Sequence, residues 1–196
     1  MFVVYRLSDT GNTMTKSMTG SFYLTETVTI PNASTSGSRT TATVDLSAYV
    51  NVPTGQAIAI ESVDFVHQVG SDFGGDVESF MQSNGAITTQ LTDLNPGNAF
   101  VRADNHSLVA SGALNIDKVN NIASHSADLF PDNFGPSSLS EAFLVVNDTL
   151  FLTSGPDGGD TALTQNLHVS ARIRCRVVKL SSKDWMAIAI QSTASE

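Results

Sequence analysis

One cysteine, one tryptophan, three tyrosines and ten Lys and Arg residues are all that this 196-residue chain contains of those types. With Cys175 alone no intrachain disulfide can form, so the fold must be held by its core. A chain of this length buries enough apolar surface as a single domain without cross-links or metals. Charged residues make up only 15% and hydrophobic residues 41%, leaving a polar surface carried by Ser, Thr and Asn more than by Lys and Glu. Such surfaces suit packing against neighbours. Ten basic against nineteen acidic residues give a formal net charge of -9, which disfavours general binding to nucleic acid, because phosphate contacts need Lys or Arg to release counterions. No apolar run reaches the roughly 20 residues of a membrane-spanning helix. The opening MFVVYRLSDTG lacks the basic leader and apolar stretch of a signal peptide, so synthesis and folding in the cytosol are expected.

Chemistry-bearing motifs are also missing. There is no Gly-x-Ser-x-Gly elbow, no phosphate-binding loop of the Walker type and no dinucleotide fingerprint. The four histidines, His67, His106, His125 and His168, are far apart and form neither a His-x-His nor an i, i+4 pair that would place two metal ligands on one element. Distant carboxylates could still meet as a glycoside-hydrolysing pair. Two acidic glycine loops, Asp72 to Asp76 and Asp157 to Asp160, carry oxygen ligands of the kind calcium takes, but neither has EF-hand spacing. They read as exposed turns. No enzyme activity, metal or cofactor is expected.

What the chain does have is alternation. From Leu167 to Leu180, LHVSARIRCRVVKL, apolar residues (Leu167, Val169, Ala171, Ile173, Cys175, Val177) alternate with polar ones (His168, Ser170, Arg172, Arg174, Arg176). A period of two over this length predicts one long strand with a single buried face. Shorter strand patterns run over Phe22 to Ile30, Thr43 to Tyr49, Ala86 to Leu94 and Leu108 to Ile116. Gln56 to Val69 changes face near Ser62, which a β-bulge at Glu61 or Ser62 explains. Phe143 to Thr153 is apolar around a turn at Asn147-Asp148. Asp76 is placed to cap a helical turn carrying Val77, Phe80 and Met81, and Val119, Ile122, Ala123, Ala127 and Phe130 stand at helical spacing, predicting a helix over 117–130. Met186, Ile188 and Ile190 alternate, favouring a final strand over a helix capped by Ser182. The sum is an all-β fold, an eight-stranded jelly-roll β-sandwich with one or two short helices in its connecting loops. Residues 1–20 form a polar N-terminal arm and 21–196 the single jelly-roll domain.

The basic residues are concentrated. Arg172, Arg174, Arg176, Lys179 and Lys183 are half of the ten, and on alternate strand positions the guanidinium groups would stand about 7 Å apart on one face. The plainest arrangement pairs them with acids of adjacent strands or of a neighbouring subunit; contact with anionic lipid headgroups or nucleic acid is the functional alternative. These five are candidate interface residues. Trp185, the single tryptophan, is a candidate core or interface aromatic.

VVNDTLFL at Val145 to Leu152 and RCRVVKLSSKDWMAIAIQS at Arg174 to Ser192, with the cysteine-poor β architecture, resemble the single jelly-roll major capsid proteins of tailless icosahedral double-stranded DNA viruses of archaea and bacteria with an internal membrane. The resemblance covers mainly the C-terminal quarter. It implies a capsid subunit without a catalytic site, made in the host cytoplasm and destined for the virion, that self-assembles with copies of itself into pseudo-hexameric capsomers of an icosahedral shell. It also implies, as partners often found there, a second capsid protein and an anionic lipid vesicle, with no specific nucleic acid. The competing readings are a carbohydrate-binding or adhesive β-sandwich, which needs an exposed aromatic platform, and a monomeric regulatory sandwich that binds a partner protein.

Overall fold

The computed structural model describes residues 16–75, 80–127, 142–158 and 162–193. Within them lie ten strands: β1 (Lys16–Ser17), β2 (Phe22–Ile30), β3 (Thr40–Asp45), β4 (Gln56–Val69), β5 (Gly85–Thr92), β6 (Leu108–Asp117), β7 (Ile122–Ala127), β8 (Phe143–Val145), β9 (Thr149–Asp157) and β10 (Leu167–Lys179). A short 3-10 turn at Val52–Thr54 and one helix, α1 (Ser182–Thr193), complete the elements. Every hydrogen-bonded strand pair is antiparallel.

The strands form two sheets. In the first, β10 is flanked on one side by β2, with β1 continuing along the same edge, and on the other by β4 and then β8. The second has the order β3-β9-β5-β6-β7. From β2 to β5 and from β7 to β10 each strand crosses to the other sheet, while β5, β6 and β7 pair in sequence, and the fold is an all-β, two-sheet, broadly jelly-roll-like sandwich. Of the residues expected as an arm, 1–15 lie outside the described residues, as does Asp76 of the expected helical turn. Residues 16–20 run along β10, with Met18 N–H donating to Val177 O and Val177 N–H to Thr19 Oγ1.

Alternation places the core. On β10, Leu167, Val169, Ala171, Ile173 and Cys175 are fully buried, facing Val28, Ile30, Ile58, Ile60, Ile87, Leu91, Leu150 and Leu152 of both sheets. The thiol of Cys175 is pushed up to about 12 by that burial, so it behaves as a small apolar group. A second, smaller cluster sits on the outward side of the first sheet, where Ala57, Ala59, Val178 and Leu180 meet Trp185, Ile188 and Ala189 of α1.

Two expected elements differ. The segment expected to be helix from Asp117 is a hairpin: β6 and β7 pair with Asp117 opposite Ile122. Asp117 Oδ1 accepts from Val119 and Asn120 N–H, and Asn121 takes the left-handed conformation at φ 54°. Local side-chain bonds from Asp and the tolerance of Asn for positive φ win over apolar spacing. Of the residues that mimicked a helix face, Val119 is 80% and Ile122 54% exposed and Ala123 is exposed too, while Phe130 lies outside the described residues. The final segment, expected as a strand, is α1. Ser181 Oγ accepts from Asp184 N–H at 3.2 Å and donates to Asp184 Oδ2 at 2.6 Å, a serine N-cap that also sets a carboxylate at the positive end of the helix. Trp185, Ile188 and Ala189 then share the buried face at i, i+3, i+4 spacing, with Met186 and Ile190 exposed.

Candidate functional site

The two sheets are covered unequally on their outward sides. Over the second sheet, residues 93–107 fold back. Gln90 on β5 donates from Nε2 to Val101 O and accepts from Val101 N–H, while the Arg39 guanidinium stacks 4.2 Å from the Phe100 ring and pairs with Asp157. A methyl group at Gly155 would collide with the Ser38 carbonyl, so this side is closely packed. Over the first sheet α1 covers only the end at Ala57, Ala59 and Val178. Among the described residues, none covers the rest of that face, which spans β2, β10 and β4.

This open face carries the arginine stripe. The pairing register sets Arg174 beside Tyr23 and Ser62, and Arg172 beside Thr25 and Asp64. Between Arg174 and Cys175 the register slips, leaving Glu61 as the extra residue of a β-bulge, as its change of face required. The bulge aims the Glu61 side chain to the arginine side, where it is only 3% exposed. Its carboxylate receives Arg174 Nε at 3.0 Å, Arg176 through Nε and a terminal nitrogen, and the Ser21 hydroxyl at 3.0 and 3.1 Å. One buried anion thus balances two arginines and ties in the end of the N-terminal segment. A buried carboxylate is stable only with such full pairing.

Arg172 is different. Among the described residues Arg39, Arg102, Arg174 and Arg176 each have a carboxylate within ion-pair distance, and Arg172 has none. Its guanidinium instead lies 5.2 Å from the ring centre of Tyr23, itself 53% exposed. Further along, Thr27 Oγ1 and Ser170 Oγ lie 2.7 Å apart. His168 bridges Thr29 Oγ1 at 2.9 Å and Gly70 O at 3.2 Å and carries Phe73 against its ring at 5.1 Å. Because a carbonyl can only accept, the hydrogen of neutral His168 sits on Nε2 and Nδ1 accepts from the threonine. The face is hydroxyl-rich and edged by the exposed rings of Tyr23 and Phe73.

The other basic residues do not join it. Lys179 is exposed at the end of β10, directly opposite Lys16 and Gln56, and Lys183 stands exposed in the first turn of α1. Trp185 is half-buried against the second cluster, its enclosed Nε1 without a hydrogen-bond partner among the described residues. Of the acidic loops, Asp157 is engaged by Arg39, and Asp160 lies outside the described residues.

Nothing in the sequence marks two titratable groups as held away from water. His67, half-buried on the inward side of β4, meets His125 of β7 at 5.6 Å between ring centres. Burial, then the neighbouring imidazole, pulls its pKa down to about 4. Asp93, 3% exposed just past β5, has no partner for Oδ1 among the described residues, and burial pushes its pKa up to about 7. Among the described residues no three His, Cys, Asp or Glu side chains gather as a metal cluster.

No protein-family model and no curated protein matches the sequence. Among solved structures, similarity extends to Desmodium yellow mottle tymovirus (10% identity, 89% of this chain and 98% of the other, TM-score 0.32). It extends also to the VP1 pentamer of human polyomavirus 7 (11% identity, 87% and 100%, TM-score 0.35) and to maize chlorotic mottle virus (11% identity, 80% and 95%, TM-score 0.26). At such scores the fold assignment rests on this chain's own strand order.

Proposed function

We propose that this chain is a viral coat subunit, a single jelly roll that packs with copies of itself into an icosahedral shell and has no catalytic role. The carrying observation is the strand order: β2-β10-β4-β8 facing β3-β9-β5-β6 is the order of an eight-stranded jelly roll, with β7 an added edge strand. Fold alone does not set function. The reading therefore also draws on the resemblance of Val145 to Leu152 and Arg174 to Ser192 to single jelly-roll major capsid proteins, which favours a double-stranded DNA virus with an internal membrane. In this reading 1–20 is an arm and 21–196 the shell-forming domain, the virion is the destination, and a second coat protein and anionic lipid are further partners. The open face of the first sheet, with Arg172, Arg174 and Arg176, and the exposed Lys179, Lys183 and Met186 near Trp185, supply surface for lateral contacts.

Negative-stain electron microscopy of the purified full chain tests this. Closed shells, capsomers or lattice fragments are the expected result. A stable monomer that is retained on immobilised glycans, with retention lost in Tyr23→Ala, would replace it by the carbohydrate-binding reading.

A further inference from the structure

The open face and one corner of the opposite sheet are complementary in charge. At that corner Asp45 ends β3 and Asp148 stands in the turn before β9; Leu46 N–H donates to Asp148 O, and Asp45 is paired in register with Thr149. Both acids are exposed. Among the described residues their side chains accept only from local groups, Asp45 from Ser47 and Asp148 from the Thr149 hydroxyl, and neither has a basic residue within ion-pair distance. The Ser47 bonds hold the Asp45 carboxyl below its usual value. Asn147, next to Asp148, donates from Nδ2 to the backbone carbonyl of Asp93, so the buried carboxyl group with no partner for Oδ1 belongs to the same corner. The open face holds Arg172, which has no carboxylate within ion-pair distance among the described residues although Asp64 is its neighbour in register, together with the two arginines that share Glu61, so the arginines outnumber the acids of the face by one.

We propose that the arginine face of the first sheet docks against the Asp45–Asp148 corner of a second copy of this chain, with Arg172 as the central cation. This rests on the self-assembly reading above and names the surfaces that meet. The two lie on different sheets, and where they meet head to tail each copy offers both halves, so that the contact builds rings or extended arrays of copies. Three strands by about seven residues give a footprint of roughly 15 Å by 25 Å, about 400 Å², half the approximately 800 Å² per partner of a stable standard interface. Such a contact holds only as one of several around a subunit, as in a lattice.

Charge reversal in the full chain is the test, read by sedimentation velocity at one fixed ionic strength. Arg172→Asp and Asp148→Arg are each expected to weaken self-association at least tenfold, and the double variant, which restores the net charge, to recover most of it. Asp148→Arg is the telling arm, because it makes an acidic chain less acidic and would strengthen association if only net charge mattered. Arg102→Asp changes net charge as Arg172→Asp does, away from the face, and is expected to leave association within about twofold of wild type. Single variants that associate like wild type, or a double variant no better than either, overturn the docking while leaving self-assembly standing. A wild-type chain that never associates overturns both.

Discussion

Glu61 is where the open face is most sensitive to a single atom. Replacing it by glutamine leaves Arg174 and Arg176 converging on a neutral, buried amide. Removing one partner of a buried pair costs several kcal/mol, and the half-exposed Arg174 recovers part through water, so Glu61→Gln is expected to lose about 2 kcal/mol in urea denaturation; an unchanged midpoint would contradict the role given to Glu61. Asp93 and His67 make stability depend on pH in opposite senses. For Asp93, raised from 3.8 to about 7, folding favours the protonated form, so its contribution is full below about pH 4 and lost as pH rises through 7. For His67, lowered from 6.5 to about 4, folding favours the neutral form, so stability is full above 6.5 and lost as pH falls through 4. Asp93→Asn is therefore expected to be more stable than wild type at pH 8 by an amount on the order of 2–4 kcal/mol and nearly equal to it at pH 4, read from urea midpoints. A constant difference across that range would rule out this titration. That acids of an adjacent strand would pair with the arginines was legible in the sequence, but which acid was not, since Arg176 and Glu61 are 115 residues apart; His67 meets His125 only because β7 joins the second sheet.

At the scale of elements, period-two strands with one buried face were the most readable. The long strand runs Leu167–Lys179 against the expected Leu167 to Leu180, Phe22 to Ile30 coincides with β2, and the bulge falls at Glu61. Alternation misled where a helix also exposes every fourth residue. Met186 and Ile190 point to solvent while Ile188 between them is packed, and the decisive signal was Ser181 three residues before Asp184. Likewise the Asp117 to Asn121 turn residues outweighed the apolar spacing that suggested a helix. The cap yields a prediction: Ser181→Ala removes a bond to Asp184 N–H and is expected to cost about 1 kcal/mol. Because Trp185 is the one tryptophan and sits on the docked face of α1, its emission should move to the red at lower urea in that variant than the loss of sheet signal in circular dichroism. Coincident transitions, unshifted from wild type, would contradict the cap's contribution.

At the scale of the whole molecule, the fold class followed from composition and alternation, but the surfaces that meet could not, because they are made of strands far apart in sequence. Subunits with a net charge of -9 repel one another, and that repulsion decays over about 8 Å at physiological ionic strength and less at higher salt. The local attraction of the arginine face for an acidic corner is screened as well, yet it acts at contact distance, where screening is weakest. Assembly is therefore expected to rise from about 50 mM to about 500 mM NaCl, over which the Debye length shortens to less than half, and again when divalent cations are added; a shell that closes equally well in low salt with chelator would contradict this. The most direct measurement of the central claim is sedimentation velocity of the purified full chain over a range of concentration at the higher salt. Boundaries far faster than a single chain's, growing with concentration, are the expected result, and one slow boundary at every concentration would contradict it.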